Sequence, residues 1–336
     1  MKKRMQFRVA LYSLIVLYAA ILLGEFIAPY NYSLQDREYS FAPPTRIHTI
    51  DARGNLHLRP FIYGLRYSGG DYLEDREQMY PIHFFAPGVE YKLAGLLPAR
   101  IHLFGVDEPA RIFLLGTDQY GRDQLSRLLR GGQISLLAGL FAATLSIGLG
   151  LLIGIVAGYY GRFSDEILMR LAEVFMVLPW LYLLLAVKGF LPLNVAPATS
   201  FLLVIGVIGL VGWARPARLI RGVVLTAKER NYVIAARGFG ASDLYIVRRH
   251  ILPQTVAVVL TQATLLVAAY TLSEMALSFL GLGVSEPVPS WGNMLASLQQ
   301  YHVLTSYWWM FAPAVPATLV FWAYYTVANS FQETTE

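Results

Sequence analysis

The sequence predicts an all-α polytopic membrane protein: six transmembrane helices, with a small β-rich extracytoplasmic insert between the first and second. Three observations carry this prediction: the apolar balance, the spacing of the long apolar runs, and the placement of lysine and arginine. Of 336 residues, 56% are hydrophobic and only 15% are charged, and the mean hydropathy is +0.48. A soluble domain is nearer half apolar and a quarter charged. The net charge of +5 does not point to nucleic acid, because the basic residues stand in blocks between apolar runs, as in cytoplasmic loops of membrane proteins. The chain has no cysteine, which excludes disulfides, thiol catalysis and cysteine metal sites.

Crossing the hydrocarbon core takes about 20 apolar helical residues. Six stretches qualify: 9–28, 134–157, 171–190, 195–213, 255–277 and 307–328. The second is free of charge from Ile134 through Gly161. The third carries Glu173 and Lys188 near its ends, where long side chains reach the interface. The second also carries Gly150, Gly154 and Gly158 at spacing four, a face that lets helix backbones approach closely. Internal packing and a subunit contact are both open uses for it.

Orientation follows from the basic residues. Lys2, Lys3, Arg4 and Arg8 favour a cytoplasmic start. Six crossings then place the loop holding Arg162 and Arg170, and the loop 214–250 with eight arginines and lysines, on the same side. The opposite loops, 191–194 and 280–306, contain neither residue. Both termini are therefore expected inside. The first apolar run exceeds the roughly 7–15 residues of a signal-peptide core, so it is expected to stay as an anchor.

The polar stretch 30–130 holds twelve basic and twelve acidic residues; parity puts it outside. Within it, 47–67 offers two extended runs about an Asp-Ala-Arg-Gly-Asn turn, and 80–105 offers a second pair. A folded cap over the helices is the expected role. The resulting division is 1–29 (N-terminus and anchor), 30–113 (insert) and 114–336 (five-helix core with the cytoplasmic loop 214–253).

Catalytic patterns are missing. The sequence has no GxxxxGK[ST], HExxH, GxSxG or EF-hand pattern. His48, His57, His83, His102, His250 and His302 lack metal-ligand spacing. Charge within the spans amounts to Glu173, Lys188 and Glu274, too little for catalysis or a proton relay. No metal and no cofactor is expected on this chain. A chain of this kind moves something, and uphill work would draw its energy from another polypeptide.

The stretch AARGFGASDLYIVRRHILP (235–253) interrupts the apolar pattern. Ala235-Ala236-Arg237 is helix-prone, and Gly240 can end that helix. Ser242 can cap a second helix with Asp243 in its first turn and Arg248, Arg249 and His250 at its end, and Pro253 follows. The result is an L-shaped projection suited to a protein groove. A basic loop on anionic lipid accounts for the arginines but not for the glycine and proline.

This spacing resembles a signature of the membrane subunits of binding-protein-dependent ABC importers: Glu-Ala-Ala, three residues, Gly, nine residues, then Ile-x-Leu-Pro. Ala235-Ala236, Gly240 and Leu252-Pro253 stand at those positions; Ile234 replaces the Glu and His250 the Ile. The form RHILP is similar to the dipeptide/oligopeptide branch. So are LLGTDQYGRDQLSRLLRGGQISL (114–136) and LSEMALSFLGLGVSEPVPSWGNML (272–295), whereas the end, ANSFQETTE, departs from the Gly-Asp-x-Leu-Arg-Asp tail common in such subunits.

The resemblance implies an ABC importer permease fold in a bacterial inner membrane. It implies partners: a second homologous permease, two ATPase subunits that use ATP and Mg, an extracytoplasmic solute-binding protein, and membrane lipid. It assigns ATPase coupling to Ala235, Ala236, Arg237, Gly240, Ala241, His250, Leu252 and Pro253. An outer-gate role falls to Gly116, Thr117, Asp118, Gly121, Arg122 and Asp123, the alternative being a turn in which Thr117 or Asp118 caps a short helix. Substrate path or binding-protein docking falls to Glu274, Ser278, Gly281, Gly283, Pro289 and Trp291; for Glu274 a structural hydrogen bond is the alternative. The substrate implied is a di- or oligopeptide, although the branch also includes nickel, glycoside and opine carriers. A self-sufficient secondary transporter or channel would need buried ion-coupling residues and paired broken helices, and a membrane enzyme a catalytic cluster.

Overall fold

A computed structural model describes residues 2–93, 97–189 and 196–333. The chain opens with α1 (Lys2–Leu22) and the single turn α2 (Gly24–Ile27). Five strands follow: β1 (His48–Ile50), β2 (Leu56–Ser68), β3 (Asp71–Pro81), β4 (His83–Leu93) and β5 (Leu97–Gly105). Next come α3 (Gln124–Tyr160), α4 (Arg162–Val177), α5 (Trp180–Gly189), α6 (Pro197–Gly212) and α7 (Ala214–Lys228). The remainder is α8 (Asn231–Gly238), α9 (Asp243–Ile246), α10 (Leu252–Phe279), α11 (Trp291–Ala296), α12 (Tyr301–Ser306) and α13 (Ala314–Glu333).

Among the described residues, five helical stretches are long and apolar enough to cross a membrane: Arg4–Leu22, Gln124–Tyr160, Pro197–Lys228, Asp243–Phe279 and Trp308–Phe331. The expected third span, 171–190, is not one helix. It divides into α4 and α5 at Leu178-Pro179, because proline has no N–H to continue the ladder and forces its predecessor out of the helical region; Leu178 is extended, with ψ 120°. Glu173 consequently lies on the exposed face of α4 beside Arg170, 3.3 Å away, rather than at the end of a span. The Lys188 side chain and the loop 191–194 lie outside the described residues.

The chain forms two compact units. One comprises 1–14, 136–277 and 319–336, and the other 15–135 and 278–318. In the first unit, Gly150, Gly154 and Gly158 of α3 pack on α7, where a Cβ at any of them would come within 2.7–2.8 Å of Pro216, Ala217 or Val224. The stripe is thus used for internal packing. Trp213, Ala214 and Ala217 bury against Ala172 of α4, and Ser146 donates to the Gly209 carbonyl at 2.8 Å.

In the second unit, β1-β2-β3 form one antiparallel sheet and β4-β5 another. The β-rich expectation holds for both strand pairs. Asp51 closes the first turn by accepting from the N–H groups of Arg53 and Asn55, each at 2.8 Å. Hydrogen bonds from Asn55 and His57 hold its carboxyl well below the usual range. Strand β3 was not expected, since DYLEDREQMYP lacks β-branched residues. Its pairing is set by the Gly69-Gly70 hairpin, both at positive φ (64° and 101°), which suits a two-residue turn. Ile62, Ile82, Phe104, Ala110 and Ile112 form the core beneath.

Candidate functional site

The projection at 231–253 is built as a stiff elbow. After α8, the Gly240 N–H donates to the Arg237 carbonyl and the Ala241 N–H to the Ala236 carbonyl, both at 3.0 Å. That pair of bonds is a Schellman motif, which needs a left-handed residue at the turn; Gly240 has φ +81°. The spacing Ala-Ala-x-x-x-Gly therefore has a local cause. Ala236 accepts the closing bond, and Ala236 and Ala241 pack together on one core.

Ser242 caps α9 by accepting from the Tyr245 N–H. The chain then passes through five π-helical residues, Val247–Ile251, directly into α10. The Leu252 N–H reaches back five residues to Val247. This wider turn lets Pro253, with no N–H, sit inside a helix. Pro253 was expected to mark the helix entry; instead, one helical stretch runs from Asp243 to Phe279.

The elbow stands on Tyr159, Ile220, Val224, Val233, Ile246 and Ile251, all buried. Tyr159 at the end of α3 donates to Asp243 at 2.6 Å, and the Arg237 guanidinium lies 5.5 Å from its ring. His250 is set between the rings of Tyr232 and Tyr245, at 5.6 and 5.8 Å. The tip is the reverse of this base: Phe239 is 93% exposed and Leu244 76%, with Tyr232, Ile234 and Tyr245 also exposed. Exposed apolar clusters of this kind mark protein contacts.

In the second unit, residues 116–127 form a clasp. Thr117 Oγ1 accepts from the Ala42 N–H at 2.7 Å and donates to the Tyr39 carbonyl. Gly121, at φ +70°, passes so near Asp36 that a Cβ would lie 1.7 Å from its carbonyl. Asp118 accepts from its own loop and from Arg122 Nε at 2.7 Å. Arg122 and Arg127, both buried, reach Glu286 at 2.7 and 2.9 Å. Two stretches far apart in sequence, GTDQYGRDQLSR and SEPVPSW, thus meet through four charged side chains, Asp118, Arg122, Arg127 and Glu286.

Neither Thr117 nor Asp118 caps a helix. Asp123 does, accepting from the Ser126 N–H at 2.8 Å, and the helix it caps is α3 itself. Burial pushes the Asp123 carboxyl up to about 6, against the lowering bonds from Ser126. Its Oδ1 has no hydrogen-bond partner among the described residues.

The expected docking residues are mostly enclosed. Gly281, at φ +75°, ends α10, and Ser278 Oγ accepts from the Val284 N–H at 3.2 Å. Trp291 is 1% exposed and donates to the Leu128 carbonyl at 3.0 Å; Ser278, Gly283 and Pro289 are buried as well. Only Leu280-Gly281 and 285–287 offer surface in this loop. Glu274, in the first unit, is fully buried.

Residues 150–335 match the family described as the binding-protein-dependent transport system inner membrane component. The chain belongs to that family. Residues 1–44 match the N-terminal transmembrane domain of oligopeptide transport permease C. Among curated relatives of this inner membrane component, the dipeptide transport system permease protein DppC of Bacillus subtilis is 36% identical over 239 residues, 71% of this chain and 69% of that one. A putative peptide transport system permease protein of Brucella suis is 38% identical over 222 residues, 66% of this chain and 69% of that one. An inward-facing structure of the MetNI methionine ABC transporter covers 61% of this chain and 95% of its own, at 16% identity and a TM-score of 0.43.

Several residues that build the elbow and the clasp are not singled out by the sequence. Phe239, Leu244, Tyr159, Arg127 and Glu286 carry the exposed tip, its brace and the clasp. The apolar residues inside an otherwise basic loop were the available signal for Phe239 and Leu244. Nothing local signals that Glu286 reaches back to Arg122.

Proposed function

We propose that the chain is a permease subunit of an ATP-driven importer of di- and oligopeptides in a bacterial inner membrane. It forms part of the translocation path with a second homologous permease, and an extracytoplasmic solute-binding protein delivers the substrate. It crosses the membrane six times with both termini cytoplasmic, the pair α4–α5 supplying the crossing that the Pro179 break interrupts. ATP is hydrolysed by two separate subunits, and the elbow docks into a groove on one of them. The peptide names of its relatives support the substrate class.

One observation carries the coupling role: an apolar tip at Phe239 and Leu244 stands exposed on a fully packed base. A soft loop would dissipate a displacement applied at its tip; a rigid element passes it to the helices beneath. Ala235, Ala236, Arg237, Gly240, Ala241, His250, Leu252 and Pro253 serve this role by fixing the elbow's shape, and the exposed apolar side chains make the contact.

Gly240→Pro removes both the left-handed turn and the N–H bonded to Arg237, and Ala236→Arg disrupts the packed C-terminal turn of α8. Either variant, in the assembled transporter, is expected to stay in the membrane while losing at least about tenfold of transport-coupled ATP hydrolysis. Coupling at the wild-type level in either variant, with the chain correctly inserted, contradicts the assignment.

A further inference from the structure

Within the unit that carries the strands lies a cavity of about 190 Å³ that touches the clasp only at Ser126. It is well above the room one water needs. Its walls include Glu25, Tyr32, Glu90, Lys92, Arg130 and Gln133. They come from α2, just past the first apolar span, from the loop that follows it, from β4, and from the opening turns of α3. His102, buried between the Ala28 and Val89 carbonyls at 2.6 and 3.1 Å, fixes the strands against α2.

The charges on these walls are incompletely matched. Arg130 Nη1 and Glu25 Oε1 are 3.4 Å apart, longer than the roughly 2.7–2.9 Å of a good charge-assisted bond. Glu25 Oε2 and Arg130 Nε are buried and make no hydrogen bond among the described residues. Arg130 Nη1 makes its shorter bond to Gln133 Oε1, at 2.5 Å, and its guanidinium lies 5.6 Å from the Tyr32 ring. Glu90 is already paired with Arg100. That leaves Lys92, exposed, as a wall cation with no carboxylate of its own among the described residues.

A half-made ion pair is unfavourable when partly desolvated, and a ligand of both signs completes this one. We infer that the cavity binds a small dipolar ion, with a primary ammonium on Glu25 and an anionic oxygen group on Arg130 and Lys92. A phosphoethanolamine lipid headgroup and a free amino acid or dipeptide share this chemistry. The position beside the ends of two apolar spans gives the headgroup access, and the Glu25 side chain, 25% exposed, keeps the cavity open to a soluble ligand. The site does not depend on the import reading.

The test uses the full chain reconstituted in phosphatidylglycerol nanodiscs, which supply no dipolar lipid. Glycylglycine is titrated by calorimetry, and phosphatidylethanolamine retained from mixed lipid is measured by native mass spectrometry. At least one probe is expected to bind, and Glu25→Gln and Lys92→Gln are each expected to weaken it about tenfold. Glu25→Gln should also erase the preference for glycylglycine over its N-acetyl form, or for phosphatidylethanolamine over phosphatidylglycerol. Lys92→Gln should keep that preference and the wild-type melting temperature. Binding of the dipeptide alone assigns a soluble ligand, and retention of the lipid alone assigns the headgroup. If the wild type binds neither probe, or if Lys92→Gln folds normally and binds unchanged, the inference is overturned.

Discussion

The elbow at 231–253 and the clasp at 116–127 are both polar, glycine-punctuated stretches, yet they dispose their side chains in opposite ways. In the elbow, backbone bonds close the turn at Gly240, and the large side chains Phe239 and Leu244 are left outside. In the clasp, Gly121 lets the loop press against Asp36, and Arg122 and Arg127 are buried with Asp118 while the half-exposed Glu286 closes over them. Exposed apolar surface on a rigid base is free to receive a partner. Buried, paired charge is committed to holding its own chain together. Motif residues alone do not distinguish these uses; burial does.

The sharpest break in this comparison is expected at Arg127. Arg127→Met leaves the buried Asp118 and the half-exposed Glu286 with Arg122 as their one remaining cation in the clasp, a loss of about 3 kcal/mol, read as a drop in the melting temperature of the purified chain. The exposed Arg248→Met is the control and should stay within about 0.5 kcal/mol. Equal drops would erase the distinction between the two regions.

A smaller effect concerns Asp123. Its folded carboxyl titrates at about 6, above an unfolded value near 4. Between these values the folded chain holds the proton more tightly. Stability is therefore full below about pH 4 and falls as pH rises to about 6, by on the order of 2 kcal/mol. Asp123→Asn keeps an acceptor for Ser126 and removes the ionisation. Melting curves at pH 4.5 and 7.5 should show a slope in the wild type that the variant lacks.

The smallest effect is expected at the elbow. Gly240→Ala has open space around its new methyl group, so only the left-handed backbone opposes it, by about 1 kcal/mol. A loss as large as that of Arg127→Met would mean that the elbow is packed more tightly than its exposed tip implies.

Much of this was legible in sequence because the causes are local. The apolar runs that become α3, α6, α10 and α13 are long and uniform, Ser242 caps where its type and position predict, and Gly240 ends α8 as a glycine in that context does. Strand β3 escaped because it is rich in charged residues, with a register that comes from Gly69-Gly70 and from β2. The π-helical passage before Pro253 escaped because periodicity does not reveal one extra residue in a turn. The Arg122–Glu286 contact spans 164 positions, and no pattern within either stretch encodes it. The third apolar run is interrupted at one residue: Pro179 divides it into α4 and α5.

The most direct test of the central claim exploits the absence of cysteine from this chain. A single Phe239→Cys variant places one reactive thiol at the elbow tip. In the isolated, membrane-inserted permease, a maleimide added from the cytoplasmic side should label it readily. In the assembled transporter with its ATPase subunits, labelling should slow by at least about tenfold as the tip is covered. Equal labelling rates in the two preparations, with assembly verified, would show that the elbow is not where the motor engages.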